Sequence, residues 1–139
     1  MSEVLSIHGE EKKLIQRAYR QLLKTIDSKM EGDDAINLRH AYELAVEAHS
    51  KQRRKSGEPY ILHPIEVARI CSEEIGLGPT AVICALLHDV VEDTPVTLVQ
   101  IKEMFGERVA KIVDGLTKLD GSYDSGSPQA ENFKKVLST

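Results

Sequence analysis

Apolar residues recur along this chain at the three- and four-residue spacing of amphipathic helices. The first such stretch runs from Glu10 to about Lys29, where Gly32 interrupts the pattern. Its apolar face is formed by Ile15, Ala18, Leu22 and Ile26. The second stretch runs from Ala35 to about Ser50, and Asp33 offers an N-cap before it. Both stretches predict helices with one buried face.

Start and stop signals divide the rest of the chain into further helices. Prolines suit first helical positions, and glycines or a Thr-Pro pair follow the last ones. The predicted helices run from Pro64 to Ile75, Pro79 to Asp93, the Thr97–Gln100 capping box to Phe105, Glu107 to Lys118, and from Ser127-Pro128 onward. No segment alternates like a half-buried strand. The sequence therefore predicts an all-α fold in one domain.

Composition narrows the class without changing this picture. A chain of 139 residues with 41% hydrophobic and 29% charged residues is typical of a globular protein with a real core. The net charge of −4 argues against general nucleic-acid binding. The N-terminus does not resemble a signal peptide, and no apolar run is long enough to cross a membrane. We therefore expect a cytoplasmic protein, with Cys71 and Cys84 as buried, reduced thiols.

The helix predicted to end at Asp93 carries an acidic cluster in the stretch ALLHDVVEDTP. His88 and Asp89 are followed one turn later by Glu92 and Asp93. A helix C-terminus is the negative pole of the helix dipole, so carboxylates are unfavourable there. A bound cation would remove this conflict by reversing the local field. The alternative is a solvated acidic helix end, which costs only roughly tenths of a kcal/mol per pair.

A histidine at a second place strengthens the metal interpretation. His63 immediately precedes Pro64, and the proline ring disfavours helical geometry at the residue before it. We therefore expect His63 in an extended conformation at the mouth of a helix, where it could be aimed as a ligand. A satisfied polar residue at a helix entrance is the alternative. His8, His40 and His49 have no such setting and are predicted to be surface or helix-face residues.

The polar loop before His63 is basic although the protein is acidic. Its cations are Lys51, Arg53, Arg54 and Lys55. A solvated charge run is the ordinary explanation. Next to a metal-carboxylate site, however, such a loop suits an anionic substrate with phosphates, because arginine offers a planar fork and lysine a point charge.

Three blocks of this sequence resemble one known family. They are AHSKQRRKSGEPYILHPIEVARI, ALLHDVVEDTPVT and FGERVAKIVDGLTKL, in that order. Together they are similar to the hydrolase domain of the RelA/SpoT homologues, the bifunctional (p)ppGpp synthetase/hydrolase enzymes of the bacterial stringent response. That domain belongs to the HD superfamily of metal-dependent phosphohydrolases. The resemblance implies a helical bundle, and Mn²⁺-dependent removal of pyrophosphate from the 3′ position of ppGpp or pppGpp, giving GDP or GTP.

The resemblance also implies roles for particular residues. The positions that match the family's metal ligands are His63, His88 and Asp89. The acidic pair held to position and activate the attacking water matches Glu92 and Asp93. The loop that holds the guanosine and its phosphate matches Arg54, Lys55 and Ser56.

The sequence also departs from the family. A later DRLHN-like motif, which supplies a fourth metal ligand and an asparagine that contacts the nucleotide, is not found in these 139 residues. We therefore expect residues 1–139 to be the N-terminal part of a single HD-type hydrolase domain. Alone, this chain should have little hydrolase activity, an empty or loosely occupied Mn²⁺ site and a tendency to self-associate. Two alternatives stay open: an HD phosphohydrolase of another nucleotide, and a non-catalytic helical module with a vestigial metal site.

Overall fold

A computed structural model describes residues 9–120, with side chains described as far as residue 117. The helices are α1 (Gly9–Ile26, extended by the 3-10 turn Asp27–Lys29), α2 (Asp34–Ala48), α3 (Leu62–Arg69, continued by the π-helical segment Ile70–Ile75), α4 (Pro79–Asp93), α5 (Leu98–Phe105) and α6 (Glu107–Asp120). In this part of the chain the only extended pairing is an isolated bridge between Arg53 and Pro59. The all-α prediction is confirmed. The helix predicted from Ser127 lies outside the described residues.

Helix α4 is the centre of the bundle. It packs against α2, α3 and α6, and every residue from Ala81 to Val90 is buried. A helix that is apolar on nearly all sides is expected in such a position. Pro79 occupies its first turn, and Thr94-Pro95 follows its last residue, as predicted. The central packing holds the C-terminal end of α4 in place, and that end carries the acidic cluster.

The faces predicted for α1 and α2 form one wall of the core. The buried residues on these two helices are Ile15, Tyr19, Leu22, Ile26, Leu38, Ala41, Tyr42 and Ala45. The rings of Tyr19 and Tyr42 stack with their centroids 3.8 Å apart, and the Arg39 guanidinium lies over both. Stacked aromatic pairs of this kind add to the gain from burial alone.

Two predictions about helix starts are resolved by the geometry. At α5, Gln100 N donates to Thr97 Oγ1 at 3.2 Å and Thr97 N donates to Gln100 Oε1 at 2.9 Å, which confirms the capping box. At α2, Asp33 is the N-cap residue, but its side chain makes no cap hydrogen bond.

The prediction that His63 precedes a helix in an extended conformation is wrong. Helix α3 begins at Leu62, so His63 lies in its first turn and Pro64 in the third position. Proline disfavours helical geometry at the preceding residue without forbidding it, and its missing N–H costs nothing in a first turn. Ile61 and Ile65 are buried on either side of this turn and fix it to the core. His63 therefore remains near the helix mouth, but inside the helix.

The cysteines follow the prediction. Cys71 and Cys84 are buried and free of disulfide bonds. Burial raises the pKa of each thiol to about 12, so neither is a nucleophile near neutral pH. No helix in the described part of the chain is both long and apolar enough to span a membrane.

Candidate active site

The candidate site begins with two polar side chains buried at the end of α4. His88 is 0% exposed and Asp89 is 3% exposed. The Nε2 atom of His88 lies 3.1 Å from Oδ1 of Asp89, and its Nδ1 lies 3.1 Å from the carbonyl oxygen of Ala85. Buried polar groups are expensive unless they are partnered. These two partnered polar side chains therefore stand out in the buried part of α4, where the other residues are apolar.

The position of the proton on the His88 ring indicates that His88 and Asp89 can hold a cation between them. A carbonyl oxygen can only accept, so Nδ1 of His88 donates to Ala85, and a neutral imidazole then has its lone pair on Nε2. That lone pair faces the Asp89 carboxylate, so two acceptors are in contact. A proton on Nε2, or a metal ion held by both groups, resolves the conflict. Metal-binding histidines commonly donate their other nitrogen to such a carbonyl.

Tyr60 completes the surroundings of Asp89. Its hydroxyl donates to Oδ2 of Asp89 at 2.7 Å, across 29 residues of sequence. Burial alone would raise the pKa of the Asp89 carboxyl, but hydrogen bonds from His88, when its Nε2 carries a proton, and from Tyr60 outweigh it and lower this pKa to about 2. Burial and the Asp89 carboxylate raise the pKa of the Tyr60 hydroxyl far above its usual range. Asp89 is therefore held as an anion, as a metal ligand must be.

His63 faces the same region from α3. Its ring lies edge-on to Tyr60, with centroids 5.7 Å apart. Its Nδ1 lies 3.1 Å from Nη1 of Arg54. A guanidinium can only donate, so this Nδ1 accepts, and the proton of the neutral ring is on Nε2. A metal bound through Nε2 would require that proton to move to Nδ1 and Arg54 to leave.

The two remaining carboxylates lie beyond the buried pair. Glu92 and Asp93 are exposed in the last turn of α4. The carbonyl oxygen of Asp93 accepts a 3.0 Å hydrogen bond from Nε2 of Gln52, which lies at the start of the basic loop. The end of α4 is thus tied to the loop through its backbone, and both acidic residues are exposed.

The basic loop has one structural cation and one that faces the site. Arg53 makes a bidentate ion pair with Glu11 of α1 at 2.7 and 2.9 Å, and it also donates to the carbonyl of Gly57. Gly57 has a φ of 97°, which strongly favours glycine. In the loop that turns at Gly57, the residues Arg54, Lys55 and Ser56 are exposed. Ser56 donates to the Glu58 carboxylate at 2.5 Å.

His49 was predicted to be a surface or helix-face residue, and this is wrong, because it is 0% exposed. It follows the last residue of α2, its Nδ1 lies 2.6 Å from Oε1 of Gln52, and its ring packs against Tyr60. Burial lowers its pKa. Sequence reasoning also missed Tyr60 and Gln52. The His-x-x-Gln spacing across a helix end was the available signal. His40 is exposed, as predicted, and His8 lies outside the described residues.

The structure brings His88, Asp89 and Tyr60 into direct contact, with His63 next to them. Within residues 9–117, no group of three or more histidine, cysteine, aspartate or glutamate side chains is arranged to hold a metal ion. The complete ligand set His63, His88 and Asp89 therefore stays a prediction. The roles assigned to Glu92, Asp93 and the basic loop also stay predictions.

Comparison with known proteins gives a consistent result. A family model described as an HD domain matches residues 41–139. The chain is 50% identical over 103 residues to a guanosine-3′,5′-bis(diphosphate) 3′-pyrophosphohydrolase of Aquifex aeolicus, covering 74% of this chain and 14% of that protein. It is 43% identical over 121 residues to the bifunctional (p)ppGpp synthase/hydrolase SpoT of Escherichia coli, covering 86% and 17%. It is also 43% identical over 105 residues to a GTP pyrophosphokinase of Myxococcus xanthus, covering 72% and 14%.

The chain therefore belongs to the HD domain family, and the resemblance drawn from its three sequence blocks is confirmed. It spans only 14% and 17% of the length of the two hydrolase relatives just described.

Proposed function

We propose that this chain carries the site of a (p)ppGpp 3′-pyrophosphohydrolase, which releases pyrophosphate from the 3′ position of ppGpp or pppGpp and leaves GDP or GTP. The observation that carries the proposal is the buried His88–Asp89 pair, whose lone pair and carboxylate face each other at 3.1 Å. Exposed carboxylates and a basic loop flank this pair. The printed names of the Aquifex and E. coli relatives support the choice of substrate. We also propose that residues 1–139 belong to one HD-type hydrolase domain.

We propose Mn²⁺ as the metal, held by His63, His88 and Asp89. Imidazole and carboxylate make a mixed nitrogen and oxygen donor set, which suits Mn²⁺. When bound, the metal would acidify a water molecule and polarise a phosphoryl oxygen. The Tyr60 hydroxyl holds the Asp89 carboxylate in one orientation, and the Ala85 carbonyl does the same for the His88 ring.

Glu92 and Asp93 orient the attacking water and accept its proton. Both lie on α4, one turn beyond the proposed ligands, and they are exposed where a substrate can reach them. A carboxylate can act as a general base when it lies within hydrogen-bond reach of the proton it removes. Their position at a helix C-terminus is electrostatically unfavourable without a cation, which is the expected cost of such a role.

The exposed loop residues Arg54, Lys55 and Ser56 hold the guanosine and its phosphates. Arg54 supplies a planar donor for phosphate or for stacking on the base, and Lys55 supplies a point charge. Because Arg54 donates to Nδ1 of His63 in this structure, metal binding through Nε2 of His63 requires that contact to break. Arg53 is excluded from this role by its ion pair with Glu11.

We also propose a cytoplasmic location and self-association of the chain. The location rests on the chemistry of the proposed substrate. Self-association rests on large apolar residues left on the surface, among them Val99 at 67% and Met104 at 50% exposure. The acidic net charge agrees with a small-molecule substrate and with no direct binding of nucleic acid.

The test is pyrophosphate release under single-turnover conditions, with protein in excess over radiolabelled ppGpp and with Mn²⁺ present. Three ligand candidates are present among the described residues, so we expect weak Mn²⁺ binding and slow release that chelation of the metal abolishes. GTP and dGTP serve as competing substrates, and GDP serves as a control without the 3′-diphosphate. Faster hydrolysis of GTP or dGTP would assign the chain to another nucleotide. Binding of ppGpp without any Mn²⁺-dependent release would support the non-catalytic alternative.

A further inference from the structure

We propose that Gln52, held by His49, is a positioning residue that fixes the end of α4 against the basic loop. The proposal rests on the function proposed above only for its effect on rate. The contact itself is defined by geometry. Neither residue was among the site residues predicted from the sequence, and neither has a proposed role in binding metal or nucleotide.

Gln52 is joined to three parts of the site. Its side-chain Nε2 donates to the Asp93 carbonyl at 3.0 Å, and its Oε1 lies 2.6 Å from Nδ1 of His49. Its backbone N donates to the His49 carbonyl at 3.0 Å, and its backbone carbonyl accepts from Tyr60 N at 2.9 Å. One side chain therefore links the end of α2 to the end of α4, and its backbone continues into the basic loop.

These contacts determine where the protons lie. The Asp93 carbonyl can only accept, so the NH₂ of Gln52 must face it and Oε1 must face His49. Oε1 can also only accept, so Nδ1 of His49 carries the proton. Burial lowers the pKa of His49, which keeps the ring neutral, and the lone pair is then on Nε2. The proton on Nδ1 follows from the hydrogen bonds that join Asp93, Gln52 and His49.

The lone pair of His49 is itself unusual. Among the described residues, Nε2 of His49 is a buried atom with no hydrogen-bond partner. An unpartnered buried nitrogen costs free energy, and moving the proton from Nδ1 to Nε2 would leave an unpartnered N–H in its place and break the contact with Gln52. His49 keeps this arrangement because Nδ1 must donate to Gln52.

The Gln52 amide acts on the last turn of α4. The final carbonyls of a helix lack partners within the helix, and the Gln52 donor satisfies the one at Asp93. A donor at the negative pole also offsets part of the field that the acidic cluster creates. Because Glu92 and Asp93 project from this turn, Gln52 sets where their carboxylates lie relative to His88 and Asp89. We expect its loss to slow the reaction more than it weakens nucleotide binding.

The first experiment does not depend on activity. Nitrogen-15 correlation spectra of the imidazole rings, assigned with His49→Asn, should show His49 as the neutral Nδ1-protonated tautomer. In Gln52→Met that ring should move to the Nε2-protonated form, and amide exchange at Val91 to Thr94 should speed up by about tenfold, as expected when roughly 1 kcal/mol of local stability is lost. Gln16→Met, an exposed glutamine on α1, is the matched control. An Nε2-protonated His49 in the unaltered protein, or exchange equal to the control, would overturn the proposal.

The second experiment measures single-turnover ppGpp hydrolysis and ppGpp affinity separately. Gln52→Met should lower the rate constant by about tenfold or more, while the Kd for ppGpp changes by less than about threefold. Gln52→Glu keeps the acceptor for His49 but loses the donor to Asp93, so it should slow the reaction equally. His49→Asn, which retains a donor near the position of Nδ1, should recover part of the rate lost in His49→Leu. A rate unchanged in both Gln52 variants contradicts the positioning role. If the unaltered protein shows no ppGpp turnover, the proposed function fails, and the tautomer and exchange results still decide whether Gln52 holds α4.

Discussion

The candidate active site has a buried side and an exposed side, which are held by different kinds of contact. The buried side consists of Tyr60, His88 and Asp89. The exposed side consists of Arg54, Lys55, Ser56, Glu92 and Asp93. On the buried side, the contacts of Asp89 with His88 and Tyr60, and of His88 with the Ala85 carbonyl, lie between 2.7 and 3.1 Å. On the exposed side, the loop is fixed at its base, and its functional side chains are left in solvent.

Because of this difference in burial, the two sides of the site are suited to different functions. Buried charges interact strongly and lose much when a partner is removed, because water cannot replace it. Exposed charges are screened and contribute little to stability. The buried side is therefore suited to holding a metal ion in one geometry, and the exposed side is free to change partners when a substrate arrives. Substitutions on the two sides should fail in different ways.

The largest effect is expected at Asp89. Asp89→Ala removes the acceptor for Tyr60 and the partner of His88, and both are buried or half-buried. We expect a loss of about 2–4 kcal/mol in the free energy of unfolding and no measurable Mn²⁺ binding. Urea unfolding and calorimetric titration with Mn²⁺ measure the two effects. Asp33→Ala is the control, since the Asp33 side chain makes no cap hydrogen bond. Equal stability of the two variants would contradict a structural role for the buried side.

The next effect concerns Glu92 and Asp93, which share a helix with Asp89 but not its burial. Glu92→Ala and Asp93→Ala should each lower the single-turnover rate by about 100-fold, as expected for loss of a general base. Stability should stay the same or rise by roughly tenths of a kcal/mol, because a negative charge leaves a helix C-terminus. Mn²⁺ affinity should be retained. Glu103→Ala, at an exposed acid on α5, is the control. Near-normal turnover in both variants would end the catalytic assignment.

The two sides also differ in how far the sequence predicts them. Helix α4 has the bounds expected from Pro79 and Thr94-Pro95, because proline acts locally on the backbone. The capping box at Thr97 was predictable for the same reason. The acidic end of α4 was likewise visible as a spacing within one helix. These features depend on neighbours only a few residues away.

The contacts that tie the loop segment to the end of α4 were not predictable, because they join distant parts of the chain. Tyr60 meets Asp89 across 29 residues, and Gln52 meets Asp93 across 41. His49 was misjudged because burial depends on what packs over the end of α2, and Tyr60 does so. His63 was misjudged because packing of Ile61 and Ile65 outweighed the local preference that proline imposes. Tertiary packing decided each of these cases.

A third prediction compares two neighbouring arginines. Arg54→Ala should raise the Kd for ppGpp by about tenfold, with little change in stability, because Arg54 is exposed. Arg53→Ala should instead lower the free energy of unfolding, because it removes a bidentate pair with Glu11 whose side chains are 15% and 24% exposed. Binding of fluorescent ppGpp and urea unfolding, measured on both variants, test whether Arg54 affects affinity and Arg53 affects stability. The same Kd change in both would mean that the loop acts only through its total charge.

An effect of similar size is expected at Tyr60, which belongs to the loop segment by sequence and to the buried side by contact. Tyr60→Phe keeps the ring that packs between His49 and His63 but removes the hydrogen bond to Asp89. One hydrogen bond to a charged acceptor is worth about 1–2 kcal/mol, so Mn²⁺ affinity should fall by roughly five- to thirtyfold. The Asp89 carboxyl should also lose part of the effect that lowers its pKa, which titration of carboxyl carbon-13 signals would detect. Tyr42→Phe is the control: Tyr42 stacks on Tyr19, so its substitution should change neither the Mn²⁺ affinity nor the pKa of Asp89. If Tyr60→Phe leaves both unchanged, the phenol is a packing group, and the buried side is reduced to the His88–Asp89 pair.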